Sequence, residues 1–161
     1  MIVVSDASPL ISLAVVGHLD LLQKLYSVVL IPEAVHGEAI GVEDDAPGVA
    51  ALVSAPWIRV RAVRDRALVE ALTLKLDPGE AEAIALSVEN QAGLLLMDER
   101  RGRMAATRLG CRVVGVLGVL LEAKVQGHLS VLRPVLEALN TQAGFHVSAA
   151  LIDRVLEAAE E

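Results

Sequence analysis

The sequence predicts an α/β fold in which a five-stranded parallel sheet is covered by helices on both faces. Three observations carry this. Short β-branched runs alternate with longer stretches rich in Ala, Leu and Glu at helical spacing. The runs are apolar throughout rather than at every second residue, as expected of strands buried on both faces. Hydrophobic residues make up 54% of the 161-residue chain, enough for a substantial core and too many for a disordered chain.

The elements follow in order. The first strand is Ile2-Val3-Val4, and Ser8 followed by Pro9 reads as a helix cap and first helical residue. Val28 to Ile31 and Ile58-Arg59-Val60 are the second and third strands. Asp77-Pro78-Gly79-Glu80 opens a helix, with Glu80 placed to close a capping box. From Ala81 to Leu86 the apolar residues run nearly all round that helix, which predicts deep burial. Leu94 to Met97 and Arg112-Val113-Val114 are the fourth and fifth strands. Helices near Leu117–Val125, Val131–Asn140 and Ser148–Ala159 close the chain, with Pro134 in a first turn. The first and fourth strands are the most apolar, which places them centrally. No linker, repeat or low-complexity tract interrupts the pattern, so residues 1–161 read as one domain. The likeliest loop spans 41–48; its acids Glu43, Asp44 and Asp45 lack calcium-loop spacing and read as solvated.

Composition excludes several classes. The longest apolar stretch, Val113 to Leu121, is far too short to span a bilayer. The opening residues lack the basic region of a secretory signal, so a cytoplasmic location is expected. Cys111 is the single cysteine and reads as a small buried hydrophobe, not a nucleophile. A net charge of −7 argues against a protein that simply coats nucleic acid. Aromatics are 2% of the chain (Tyr26, Trp57 and Phe145), which leaves no stacking platform for single-stranded bases. Any RNA contact is expected to rest on phosphates, arginines and metal.

The chemistry gathers at strand ends. In open parallel sheets, ligands bind beyond the carboxyl ends of the strands. The first strand ends at Asp6; the fourth ends at Asp98, followed by Glu99. If the two strands are neighbours, these acids converge. Converging carboxylates repel and hold their protons more tightly unless a cation neutralises them. Hard oxygen ligands favour Mg²⁺ or Mn²⁺, and the chain has no Cys/His spacing suited to zinc. His18, His36, His128 and His146 are scattered and read as structural or exposed. Hard cations among carboxylates suit phosphodiester hydrolysis. Each acid also has an ordinary structural reading. Asp98 can cap the next helix, Glu80 can serve only its capping box, and Glu38 and Glu82 can be surface helix residues. Asp6 is the exception, because an acid directly after a central apolar strand is costly unless used.

The residues then resemble a family. Val4-Ser5-Asp6-Ala7-Ser8-Pro9-Leu10-Ile11 is similar to the first-strand motif of PIN domains. Ile31 to Glu38, Gly79 to Leu86 and Leu95 to Arg103 resemble the segments that carry the further acids. Val114 to Lys124 and Gly144-Phe145-His146-Val147-Ser148 resemble a bacterial and archaeal PIN subgroup. The resemblance implies a three-layer α/β/α fold and a Mg²⁺- or Mn²⁺-dependent ribonuclease related to toxins of the VapC type. By position it implies Asp6, Glu38, Glu80 and Asp98 as the catalytic, metal-binding acids. Glu99 is then a further ligand, directly or through water. The chain departs from the pattern twice. Glu80 and Glu82 stand where many relatives have Asp, and Asp98-Glu99-Arg100 stands where toxin relatives often have Asp-x-Asp. Glu80 and Glu82 are two apart on a helix, so only one can face the site, and Glu80 is favoured.

Arg100, Arg101, Arg103, Arg108 and Arg112 crowd beside Asp98 despite the acidic total. They read either as phosphate binders or as a solvated helix face, with Arg103 favoured for phosphate because it lies about one turn beyond Glu99. Arg101 and Ser8 are the other substrate-binding candidates; Ser8 has capping as its competing role. Three enzyme alternatives fail on their motifs. A receiver domain needs paired acids after the first strand, a dehalogenase-type phosphatase needs Asp-x-Asp there, and a nucleotide fold needs Gly-x-Gly-x-x-Gly. The remaining alternative is a PIN-like scaffold that binds RNA or a protein with little catalysis. A homo-oligomer is expected from the surplus of apolar residues. Kinship with the toxins implies a small antitoxin that masks the acids with a basic side chain.

Overall fold

The computed structural model describes residues 1–40 and 46–161; the acidic triplet Glu43, Asp44 and Asp45 lies outside them. The fold is a three-layer α/β/α arrangement. Its five strands are β1 (Val3–Ser5), β2 (Val29–Ile31), β3 (Ile58–Val60), β4 (Leu94–Leu96) and β5 (Val113–Val114). All pairings are parallel, in the order β3-β2-β1-β4-β5. The expected central pair is therefore adjacent: β1 and β4 are hydrogen-bonded neighbours. Every residue of β1, β2 and β4 is buried, whereas β3 and β5 are partly open edges, which matches their weaker apolar runs.

Helices α1 (Ala7–Val15) and α2 (Asp20–Tyr26) link β1 to β2, and α3 (Glu33–Ala39) and α4 (Val49–Val53) follow. Then come α5 (Arg66–Leu72) and α6 (Pro78–Glu89) before β4, and α7 (Arg100–Arg108) before β5. The chain ends in α8 (Val116–Val125), α9 (Arg133–Gln142) and α10 (Ala149–Ala158). Helix α6 packs on β1 and β4 and against α3, α5 and α7, so it is enclosed on all sides. Its residues from Gly79 to Ser87 are all buried. This is why its apolar pattern runs all round rather than forming a stripe. The apolar stretch Val113–Leu121 divides at Gly115, the cap of α8, into an edge strand and a core helix. Among the described residues no helix is long and apolar enough to cross a membrane. Cys111 is half-buried against the core, and burial raises its thiol pKa, which keeps it protonated.

One expectation about the first helix is corrected. The cap is Asp6, not Ser8: α1 begins at Ala7, and Ser8 and Pro9 lie inside its first turn. Proline needs no N–H partner in a first turn, so Ser-Pro fits two positions further in than the motif suggests.

The chain runs outward from β1 through β2 to β3, then crosses back to β4 and β5 on the other side. The reversal opens a crevice between β1 and β4, where such sheets bind ligands. Ser5 pairs with Leu96, and the Asp6 N–H donates to the Leu96 carbonyl at 2.9 Å. The residues just beyond each strand, Asp6 and Asp98, are thereby set on the same edge.

Candidate active site

Asp6 leaves β1 and immediately caps α1 through its backbone, yet its side chain makes no capping hydrogen bond. The residue is only 4% exposed. Burial pushes its pKa up to about 7; the Ala7 N–H opposes the shift, and Asp77, Glu38 and Asp98 add to it by repulsion.

Asp98 sits in the turn between β4 and α7. Its Oδ1 accepts the Val116 N–H at 2.9 Å, which ties the end of β4 to the first turn of α8, while Oδ2 is buried with no partner. Gly115 makes this approach possible. A Cβ there would lie 2.5 Å from Asp98 Oδ1 and 2.8 Å from Arg103 Nη1. Burial raises the Asp98 pKa; the Val116 N–H and the Arg103 charge pull against it. Arg103 Nη1 donates to the Met97 carbonyl at 3.1 Å, which holds the guanidinium beside the strand end.

Glu80 comes from the first turn of α6. The capping box forms as expected: Asp77 Oδ1 accepts the Glu80 N–H at 2.8 Å, and Glu80 Oε1 accepts the Asp77 N–H at 3.2 Å. The box uses one Glu80 oxygen; the other, Oε2, is buried and unpaired. Capping and a site role are therefore compatible in this residue. Burial pushes the Glu80 pKa up to about 7, with Asp77 and Asp6 contributing. Gly102 lets α7 come close, since a Cβ there would lie 2.8 Å from Glu80 Oε2. Glu82 points elsewhere. Its Oε1 accepts the Ala34 N–H and its Oε2 pairs with Arg66, both at 3.0 Å. Glu38, exposed on α3, rests its carboxylate against Gly79, where a Cβ would overlap it. Its pKa is raised by burial and then by the charge of Asp77.

These side chains line one cleft of about 350 Å³: Asp6, Ser8, Glu38, Asp77, Glu80, Asp98 and Glu99, closed on one side by Phe145 and His146. The structure thus brings together Asp6, Glu38, Glu80, Asp98 and Glu99, and leaves out Glu82. It adds three residues. Asp77 had been explained by its capping role, but capping uses one oxygen and leaves a charge at the cleft. Phe145 and His146 arrive on the segment between α9 and α10. That segment is pinned by Phe145 N–H to the Leu139 carbonyl at 3.0 Å and Val147 N–H to Asn140 Oδ1 at 2.7 Å.

The basic residues divide between faces. Arg100, Arg103, Thr107 and Arg108 line a groove of about 560 Å³ that reaches Asp98. Arg101 does not line the acidic cleft. It borders an apolar hollow with Leu72, Leu74 and Met104, because residues two apart on α7 point in different directions.

The donor set suits a hard cation, with a limit on how tightly. Among the described residues, no three Asp, Glu, His or Cys side chains are grouped closely enough to hold an ion as they stand. Uncompensated carboxylates repel, which favours such spacing. Mg²⁺ commonly keeps several waters and takes only one or two carboxylates. Two unpaired buried oxygens, Glu80 Oε2 and Asp98 Oδ2, beside a raised Asp6 fit an open, water-rich site of that kind.

A PIN-domain family model matches residues 2–161, nearly the whole chain. Among curated proteins, none matches.

Proposed function

Because the chain belongs to the PIN-domain family, whose members are generally nucleases, we propose that it is a Mg²⁺- or Mn²⁺-dependent endoribonuclease working from the Asp6–Asp98 cleft. The observation that carries this reading is the pair of buried carboxylate oxygens on Glu80 and Asp98 that find no partner among the described residues, in a cleft where burial also raises the Asp6 pKa to about 7. Structural acids are satisfied, as Glu82 is; these are not.

Asp6, Glu80 and Asp98 would hold the cation, with Glu99 close enough in the cleft to bind it through water. A divalent ion there supplies an activated water and charge neutralisation at the phosphate. Val116 and Met97 fix the positions of Asp98 and Arg103 before substrate arrives. Arg103 presents a permanent positive charge to a phosphate beside the acids, and Arg100 and Arg108 extend it along the groove. Ser8, exposed at the cleft wall, offers a hydroxyl to a phosphate oxygen or to water.

The test is cleavage of structured and unstructured RNA with Mg²⁺, Mn²⁺ or EDTA, comparing the natural chain with Asp6→Asn and Asp98→Asn. Metal-dependent cutting that vanishes in both folded variants supports the reading. The open spacing of the acids favours one second reading, a PIN-like scaffold that binds RNA or a protein without cutting. RNA binding without cleavage, unchanged in both variants, would select it.

A further inference from the structure

Beside the acidic cleft lies a second hollow of about 370 Å³, and Phe145 lines both. Its other walls are Val114, Leu117, Gly115 and Gly118, with Arg103 and with Asp98, which also lines the acidic cleft. We propose that this hollow is a nucleobase subsite, in which the base next to the cleaved phosphate stacks on the Phe145 ring. The inference rests on the ribonuclease reading and names how that site would hold its substrate.

Four observations support it. First, chemistry of the walls: the lining is mostly apolar, with Val113, Val114, Leu117 and Phe145, and its two charged groups are Arg103 and Asp98, the latter also lining the acidic cleft. That is the distribution a nucleotide presents, with a flat apolar base joined to an anionic phosphate. Second, position: Phe145 is one of three aromatic residues in the chain and stands half-buried beside the acids. Three aromatics make no extended stacking platform, but one ring placed here supplies a single stacking face that accepts any base. Third, rigidity: the Leu139 and Asn140 hydrogen bonds hold the backbone on both sides of the ring, so little conformational freedom is lost on binding. Gly144, at φ +64°, makes the turn that delivers it. Fourth, floor and size: glycines at 115 and 118 let Asp98, Arg103 and Val114 close up against the main chain, so one wall of the hollow is backbone. Side chains there would collide with Asp98 and Arg103 at one position and with Val114 at the other. A volume near 370 Å³ is within the range of small-ligand sites.

A competing explanation is that Phe145 only anchors its segment to the core, against which it packs. Leucine serves that role nearly as well but has no π-face. The experiment therefore compares Phe145→Leu, Phe145→Trp and Phe145→Ala with the natural chain. The probe is a short single-stranded RNA with 2-aminopurine at successive positions, in Ca²⁺ to slow cleavage. Expected is quenching of the fluorophore at one position next to the cut, retained in Phe145→Trp and lost in Phe145→Leu. The dissociation constant should rise about 5- to 100-fold in Phe145→Leu and Phe145→Ala. An abasic RNA at that position should bind all four proteins alike. Thermal melting of Phe145→Leu at the natural value separates this from unfolding. If Phe145→Leu binds, quenches and cuts as the natural chain does, while Asp98→Asn abolishes cutting, the inference is overturned and the ribonuclease reading stands. If the natural chain neither binds nor cuts the RNA, both fall.

Discussion

Glu82 Oε1 accepts the Ala34 N–H at 3.0 Å, fastening α6 to the first turn of α3. Two residues earlier on the same helix, Glu80 keeps a buried oxygen with no partner. One helix thus carries a glutamate bound into the fold and a glutamate left facing the proposed site, and the two are separable. Glu82→Ala removes the acceptor from a helix-terminal N–H and from Arg66. Urea unfolding should show a loss of about 1–3 kcal/mol, with cleavage per folded molecule close to that of the natural chain. Glu80→Gln should do the reverse: stability held or improved, cleavage lost. Equal loss of cleavage in the two variants would refute this division of labour.

Asp77 joins the capping box and lends its charge to the cleft, and these roles divide under substitution. Asparagine caps a helix about as well as aspartate. Asp77→Asn should therefore unfold in urea within a few tenths of a kcal/mol of the natural chain, while Asp77→Ala loses about 1 kcal/mol. Both remove a charge that bears on Glu80 and Glu38. Mn²⁺ affinity, measured by titration calorimetry, should weaken in both by roughly 10-fold, the low end for a supporting group. Unchanged affinity in Asp77→Asn would confine Asp77 to capping.

Two glycines make opposite predictions. At Gly102 a Cβ would lie 2.5 Å from Met97 Sδ and 2.8 Å from Glu80 Oε2. Gly102→Ala should cost about 1–3 kcal/mol by overpacking and disturb the site acid with it. Gly37, inside α3, has no described residue within 4 Å of the same point. Gly37→Ala should stabilise by about 0.4–1 kcal/mol, through helix propensity and a less flexible unfolded chain. Melting curves of the two variants, run together, decide whether the close approach at Gly102 is structural.

What could be read from the sequence follows the range of each signal. Asp6 and Asp98 were legible because each ends an apolar run, and burial of the runs made β1 and β4 neighbours. The N-terminal box of α6 was legible because it is local, four residues long. Its consequence for Asp77 was not, because the local explanation was complete in itself. Helical spacing from Glu99 favours Arg103 for phosphate but leaves Arg101 as a second candidate. Only the rotation of α7 against β4 shows that Arg103 reaches Met97 and Asp98 while Arg101 faces an apolar hollow. Phe145 is some 140 residues from Asp6 in sequence, and no local pattern connects them. Their shared cleft depends on hydrogen bonds that fold the α9–α10 segment back over the sheet edge.

The crowded acids also set how stability responds to pH in the metal-free protein. Asp6 rises from 3.8, and Glu80 from 4.5, to about 7 on folding. Between those values the folded state binds more protons than the unfolded state, so stability falls as pH rises. The stabilisation is fully present below the unfolded values and lost as pH passes the folded ones. The melting temperature with EDTA should therefore climb as pH is lowered from 8 to 6, by about 2–4 °C for each kcal/mol recovered. The two acids influence each other, so their contributions will not simply add. Asp6→Asn should flatten the slope, because its side chain carries no charge to neutralise. Mn²⁺ at pH 8 should raise the melting temperature of the natural chain by binding only the folded state, and should do so far less in Asp6→Asn. A slope of the opposite sign between pH 6 and 8, unchanged by Asp6→Asn, would mean that the cleft acids are satisfied in solution and are not held in reserve for a cation.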